Sequence, residues 1–336
     1  MTSKGSSFQV MIQKFFLQRM INQRNASPET IKSYRDTFRL YLKYLNEAHN
    51  IAPHKIEIKQ MEAEYILGFL DSLDKQRKNQ PKTVNNRLAA IHTFLRFLSF
   101  EKPEYSAVIQ RSLMIPFRKE DKKQMDFLTK EEIDALFSVC HTEQELGRRD
   151  KLMLLLLYNT GVRVSELLSL KCKDVIFDAS CSSAYIHITG KGRKERNVPL
   201  WKNTARYVSK HLDINGIKGE EKLFINYSGE ELTRSGVRYR IQLLVDEAKK
   251  KTPTLNNKKI TPHTFRHSTA LHLLQSGVDI STIAIWLGHE SIMTTHKYME
   301  ADLEMKQNIL EKISEPATEG YLYKPKDDIL AFLNSL

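Results

Sequence analysis

The sequence predicts a mainly α-helical protein with a small antiparallel β-sheet, organised as two domains. Three observations carry that expectation. The chain's 336 residues exceed one typical compact unit. Apolar residues recur at three- and four-residue spacings through most of its length, the period of helices with one buried face. Only the stretch from Asp174 to Leu200 reads as strand, and glycines at 190 and 192 interrupt it. An apolar fraction of 41% supplies two packed cores.

Taken in order, residues 8 to 24 are mixed apolar and basic. Ser27-Pro28-Glu29 then opens an amphipathic helix whose stripe is Ile31, Tyr34, Phe38, Tyr41, Leu42 and Leu45. A weaker helical stretch spans Met61 to Leu73. From about Lys82 a strong helix places Val84, Leu88, Ile91, Leu95 and Leu98 on one face. Everything before Ser112 reads as helical, which makes residues 1–111 a helical domain. Pro116 and a mixed charge run without sustained period place a linker at 112–127.

The second domain is expected over 128–313. Thr129 with Glu132 is a capping box that starts its first helix. Asp150 to Asn159 is almost wholly apolar and reads as the core helix, being too short to span a bilayer. Strand patterns follow at Asp174–Phe177 and Ala184–Thr189. Gly190-Lys191-Gly192 turns the chain into R-K-E-R-N-V-P-L, a hairpin carrying Lys191 at or near its tip. Helices resume from Trp201 to Lys251, with a loop around Gly216 to Gly229. The tail, 314–336, ends in Ile329, Leu330, Phe332, Leu333 and Leu336, an apolar group suited to docking on a neighbouring subunit or on its own domain.

Between 260 and 299 the side chains change character. Thr261 and Pro262 read as N-cap and first-turn proline, so His263 and Arg266 share one helical face at i and i+3. Gly277 reads as the stop of that helix, Ser281 as the next N-cap, and Gly288 as the second stop, just before His289. Ile283 to Leu287, Trp286 included, reads as core. Tyr298 follows nine residues after His289, beyond Thr294-Thr295. An imidazole, a guanidinium and a phenol brought together suit chemistry on a phosphate.

Net charge is +12, and residues 1–111 hold 18 Lys and Arg against 10 Asp and Glu, a net +8. Such an excess favours a polyanionic partner, with nucleic acid ahead of an anionic membrane surface. No apolar run approaches a membrane span, and the first residues lack the apolar stretch of a signal peptide. The expected location is the bacterial cytoplasm, in association with the nucleoid. Cys140, Cys172 and Cys181 form no C-x-x-C pair and read as ordinary thiols. His263 and His267 have zinc-like i, i+4 spacing, but no H-E-x-x-H glutamate lies between them. His267, His272 and His296 therefore carry no metal expectation.

Arg163 in T-G-V-R-V-S-E-L, Lys191 in G-K-G-R-K-E-R, His263 and Arg266 in H-T-F-R-H, His289 in L-G-H, and Tyr298 in T-T-H-K-Y-M together resemble the tyrosine recombinase family of phage integrases and Xer-type recombinases. The resemblance covers 128–313 strongly and about 8–111 weakly, as a helical core-binding domain in a two-domain DNA clamp. It implies cutting and rejoining of double-stranded DNA at specific sites, through a 3′-phosphotyrosine and a free 5′-hydroxyl, for integration, excision or transposition. It also implies a homo-tetramer on two DNA sites, with C-terminal segments exchanged between subunits.

The chemistry of the groups agrees. A phosphodiester under attack gathers charge on its non-bridging oxygens, which Arg163 and Arg266 are shaped to take. Tyr298 would be the nucleophile, with His263 as its proton acceptor. Lys191, or its neighbour Lys194, would protonate the leaving 5′-oxygen, and His289 would donate a hydrogen bond to the phosphate. Glu166 would orient an active-site arginine or histidine. Because the phosphotyrosine conserves the bond energy, neither a metal nor a nucleotide cofactor is required. Two other outcomes share the pattern: a type IB topoisomerase-like nicking and closing enzyme, and a non-catalytic DNA-binding regulator.

Overall fold

The computed structural model describes residues 7–120, 125–178, 183–190, 194–289 and 295. The chain forms two compact units that divide between Lys123 and Gln124.

Among its described residues the N-terminal unit contains helices and their connections and no strand. Helix α1 (Ser7–Lys14) runs directly into a π-helical segment, Phe15–Gln23. Helix α2 (Pro28–His49) begins where Ser27 Oγ accepts the Thr30 amide, with Pro28 occupying the first turn. It stops at Asn50, whose φ of 55° is left-handed. Helices α3 (Ala63–Lys75), α4 (Pro81–Glu101) and α5 (Ser106–Leu113) complete the unit. Its core is aromatic. Phe15 packs against Phe38, Phe94 and Phe97, and Phe94 stands edge-on to Phe8. The expected α2 stripe is the buried one, with Phe38, Tyr41 and Leu45 fully inside and Ile31, Tyr34 and Leu42 packed partly against them. Beyond α5 the backbone remains fastened to this unit. The Arg118 amide donates to Asn85 Oδ1 at 2.8 Å, and its guanidinium pairs with Asp71 and Asp74 at 3.0 and 2.9 Å.

The C-terminal unit surrounds a buried helix with other helices and a sheet. Helix α6 (Lys130–Ser138) starts in the capping box formed by Thr129 and Glu132. Helix α7 (Glu145–Thr160) begins five residues before the apolar run that revealed it in the sequence, since Glu145 to Arg149, where Leu146 is the one large apolar side chain, continue the same backbone hydrogen bonding. Gly161, at φ 60°, ends it. After the short α8 (Val164–Ser169) come β1 (Val175–Phe177), β2 (Ala184–Thr189) and β3 (Glu195–Pro199). They form an antiparallel sheet in the order β1-β2-β3, with Ile186 opposite Val198 and Ile188 opposite Arg196. Helices α9 (Lys202–Asn215), α10 (Arg234–Lys249), α11 (Pro262–Gln275) and α12 (Ile280–Leu287) follow. Both α9 and α11 pack on α7.

Two expectations for α12 are corrected. Its N-cap is Asp279, not Ser281: the carboxylate accepts the Thr282 amide at 3.0 Å and the Ser281 and Thr282 hydroxyls as well. A charged acceptor with two oxygens outcompetes a serine already inside the first turn. Nor is Ile283 to Leu287 all core. Ile283, Ala284 and Leu287 are buried and Trp286 is half-buried, whereas Ile285 is 73% exposed, because it lies on the helix face turned away from α11. Among the described residues no helix is long and apolar enough to cross a membrane.

Candidate active site

The C-terminal end of α12 organises the site. The last carbonyls of a helix have no intrahelical donors and lie at the negative end of its dipole. Here three consecutive carbonyls each receive an arginine from a different element. Arg196 Nε on β3 donates to Trp286 O at 3.0 Å. Arg266 Nη2 on α11 donates to Leu287 O at 2.7 Å. Arg163 Nη2, at the start of α8, donates to Gly288 O at 3.1 Å. Gly288 itself is left-handed at φ 66°, and a Cβ there would come within 2.9 Å of the Arg196 guanidinium. Glycine is therefore required at 288 by both backbone and neighbour.

Arg266 is buried and also donates through Nη1 to Gly161 O at 2.7 Å, so α7, α11 and α12 meet on one guanidinium. Gly161 is tight for the same reason: an added Cβ would sit 2.3 Å from Leu287 Cδ2. Arg163 keeps 32% of its side chain exposed, enough to face a substrate while anchored from behind. Its anchor is Glu166, whose Oε1 accepts Arg163 Nη1 at 2.8 Å and whose Oε2 accepts the Arg163 amide at 3.0 Å and Arg196 Nη2 at 2.8 Å. Burial alone would raise the Glu166 carboxyl, but the hydrogen bonds and charges of Arg196 and Arg163 outweigh it and hold the group below its ordinary range. It is a fixed anion.

His263 and His289 are held neutral. His263 begins α11 one turn before Arg266; its ring reaches the surface, yet desolvation lowers its proton affinity, and Arg266, Arg163 and Arg238 lower it further. His289 follows Gly288 directly. Desolvation, then Arg266 and Arg163, push it down to about 4. Its Nδ1 lies 2.7 Å from Oγ1 of the buried Thr295. Both imidazoles thus feel the same two arginines. His267 stands beside His263, with ring centroids 6.5 Å apart, whereas His272 is engaged elsewhere, 2.7 Å from the Tyr158 hydroxyl.

Four of the six residues singled out in the sequence, Arg163, His263, Arg266 and His289, therefore share one electrostatic neighbourhood. Lys191 and Tyr298, and with them His296, lie outside the described residues. The hairpin's base does approach the cluster: Gly190 donates to Lys194 O at 2.7 Å, and a Cβ on Gly190 would lie 3.3 Å from Glu166 Oε1. Lys194, the alternative acid, is exposed. Sequence reasoning missed Arg196 and Thr295. Arg196 was legible in the strand alternation, because it sits two residues from the buried Val198 and opposite the buried Ile188, on the face that should be apolar. Among the described residues no group of three or more His, Cys, Asp and Glu is placed to hold a metal ion.

Residues 126–305 match the model of the phage integrase family, and 14–102 match that of the phage integrase N-terminal SAM-like domain. A putative integrase/recombinase, y4rC of Sinorhizobium fredii, is 40% identical over 99% of this chain and 100% of its own length. Tyrosine recombinase XerD of Oceanobacillus iheyensis is 35% identical over 82% of this chain and 89% of its own. Solved structures agree on the fold. The XerH site-specific recombinase in its post-cleavage complex superposes with a TM-score of 0.69 at 21% identity, covering 93% of this chain and 91% of that one. The Tn1549 transposon integrase with circular intermediate DNA gives 0.68 at 16% identity, over 92% and 100%. The chain belongs to the phage integrase family: it is a tyrosine recombinase, an enzyme that exchanges DNA strands.

Proposed function

We propose that Arg163, Lys191, His263, Arg266, His289 and Tyr298 form the active site and that their roles divide as follows. Tyr298 Oη attacks the scissile phosphorus, and its proton passes to His263. The phosphorus–5′-oxygen bond breaks, the leaving oxygen takes a proton from Lys191, and a 3′-phosphotyrosine remains. Attack by the 5′-hydroxyl of another strand reverses the step and joins the exchanged ends. Arg163 and Arg266 neutralise the non-bridging oxygens, a contribution that grows from ground state to transition state. A His263 with lowered proton affinity is neutral at pH 7 and able to accept the phenol proton. A Thr295 hydroxyl that donates to Nδ1, 2.7 Å away, would leave the His289 proton on Nε2, where it can be offered to the phosphate.

The observation that carries this reading is the gathering of Arg163, Arg266 and His289 at one helix end, with His263 inside the field of the same arginines. In this reading residues 1–111 bind DNA, 112–127 link, 128–313 catalyse and 314–336 dock on a neighbouring subunit. The two domains close as a clamp on double-stranded DNA, and four copies assemble on two sites for integration, excision or transposition. The setting is the bacterial nucleoid. XerH and the Tn1549 integrase, both solved on DNA, support a DNA duplex as the substrate.

A duplex carrying the recombination site, nicked beside the scissile phosphate so that the short 5′-fragment is lost, traps any covalent intermediate. The wild-type chain should give a detergent-resistant adduct, and Tyr298→Phe should bind the duplex without forming one. An adduct from Tyr298→Phe would remove Tyr298 as the nucleophile.

A further inference from the structure

We infer that Arg196 is a positioning residue for the cleavage step, acting through Glu166 to aim Arg163 at the scissile phosphate. This rests on the assignment of Arg163 above. Arg196 and Glu166 are both well buried, at 8% and 5% side-chain exposure, and lie 2.8 Å apart. Glu166 divides its two oxygens between them: Oε1 takes the Arg163 guanidinium, and Oε2 takes Arg196 together with the Arg163 amide. Without Arg196, one carboxylate oxygen loses its charged donor, and the carboxylate is free to rotate towards the remaining guanidinium. Arg163 would then follow Glu166 instead of the phosphate.

The second anchor of Arg196 makes the geometry rigid. Its Nε donates to Trp286 O, one residue before the Leu287 carbonyl that holds Arg266 and two before the Gly288 carbonyl that holds Arg163. A guanidinium can serve a carboxylate and a carbonyl at once because its donors point in fixed, divergent directions; an ammonium cannot hold both in that geometry. Arg196 also opposes Ile188 in the ladder that closes the hairpin. One side chain thus connects β3, the Glu166 turn and the end of α12. An isolated arginine on the apolar face of a sheet is costly unless its donors are matched, and here one of its two partners, Glu166, is also the partner of Arg163.

The role separates from simple structural support by the charge of the substrate. Replacing one non-bridging oxygen of the scissile phosphate by methyl gives a neutral methylphosphonate, on which an arginine that neutralises that oxygen has little to do. Arg196→Met should bind DNA normally and cleave the phosphodiester about 100-fold more slowly, the effect of an ångström-scale misplacement. On the methylphosphonate the deficit should shrink to about 5-fold or less, because the charged oxygen that Arg163 is placed to neutralise has been replaced by methyl. Arg196→Lys, which keeps the charge beside Glu166, should fall between wild type and Arg196→Met, and it carries the same comparison if Arg196→Met does not fold.

An equal deficit on both substrates, or no deficit on either, overturns the inference. So does recovery on a substrate with sulfur as the bridging 5′-atom, since that would place the effect on the proton donor. Arg163→Ala is run alongside. If it too gains nothing from the methylphosphonate, the assignment of Arg163 itself has failed; if only Arg196→Met gains nothing, the fault lies with the Arg196 inference alone.

Discussion

The two units of this enzyme are stabilised by different means. Among its described residues the N-terminal unit buries no Asp, Glu, Lys or Arg; its core is a cluster of aromatic rings with Tyr41 hydrogen-bonded to Gln60 O, and its ion pairs lie towards the surface. The C-terminal unit buries Glu132, Arg149, Asp150, Glu166 and Arg266. Buried pairs contribute little net stability compared with apolar residues of the same volume, and they are expensive to break. The contrast teaches where each cost is offset. A unit whose charges stay at the surface can keep an apolar core, whereas one that must hold guanidinium groups at fixed angles needs buried anions and carbonyls to hold them.

The largest expected effect tests the aromatic side. Phe94 is fully buried between Phe8, Phe15 and Phe38, so Phe94→Ala should cost about 4 kcal/mol by chemical denaturation. A loss near 1 kcal/mol would mean that the ring cluster is not the main support. On the charged side, Asp150 is completely buried and accepts Arg149 at 2.8 Å and Arg240 at 2.6 Å. Asp150→Ala should cost about 3 kcal/mol, the low end for a broken buried pair because Arg240 is 27% exposed and can rehydrate. The triple change Arg149→Met, Asp150→Leu, Arg240→Met should return to within about 1 kcal/mol of wild type. If it does not, that network is a stabilising device and the contrast between the units weakens.

Acid separates the units more gently. In the C-terminal unit His211, His263, His272 and His289 are all lowered from the ordinary 6.5, each mainly by desolvation; in the N-terminal unit His92 is lowered in the same way. With the folded value below the unfolded one, the unfolded chain takes up the proton first, so stability is complete above about 6.5 and declines as pH falls. For His289 the decline continues to about 4. Both tryptophans, Trp201 and Trp286, belong to the C-terminal unit, so their fluorescence during denaturation should lose midpoint between pH 7 and 5 faster than helical circular dichroism from the whole chain. Coincident shifts would refute the difference. The smallest effect is local: Ser27→Ala removes the α2 cap and should cost about 1 kcal/mol, with strand exchange unchanged.

Much of the molecule was legible in the sequence because its signals are local. The Ser27-Pro28 start, the Thr129–Glu132 capping box, the Gly288 stop and the β2 boundaries at Ala184 and Thr189 depend on hydrogen bonds and backbone angles spanning a few residues. The first turn of α7 was missed because its single large apolar residue, Leu146, sets no period. The Asp279 cap was missed because two acceptors compete within three positions. Ile285 read as core because an apolar residue does not announce which way its helix turns.

The site divides along the same line. Arg163, His263, Arg266 and His289 could be picked out by residue type, order and local context, since the chemistry of a phosphodiester admits few side chains. Their common anchorage could not be read in that way. The carbonyls of Trp286, Leu287 and Gly288 receive arginines from positions 196, 266 and 163, and no spacing rule relates residues so far apart. The sequence by itself determined which groups are suited to the proposed chemistry; tertiary structure alone decided what holds Arg163 and Arg266, because orphan carbonyls at a helix end become binding partners only once packing brings distant guanidinium groups to them.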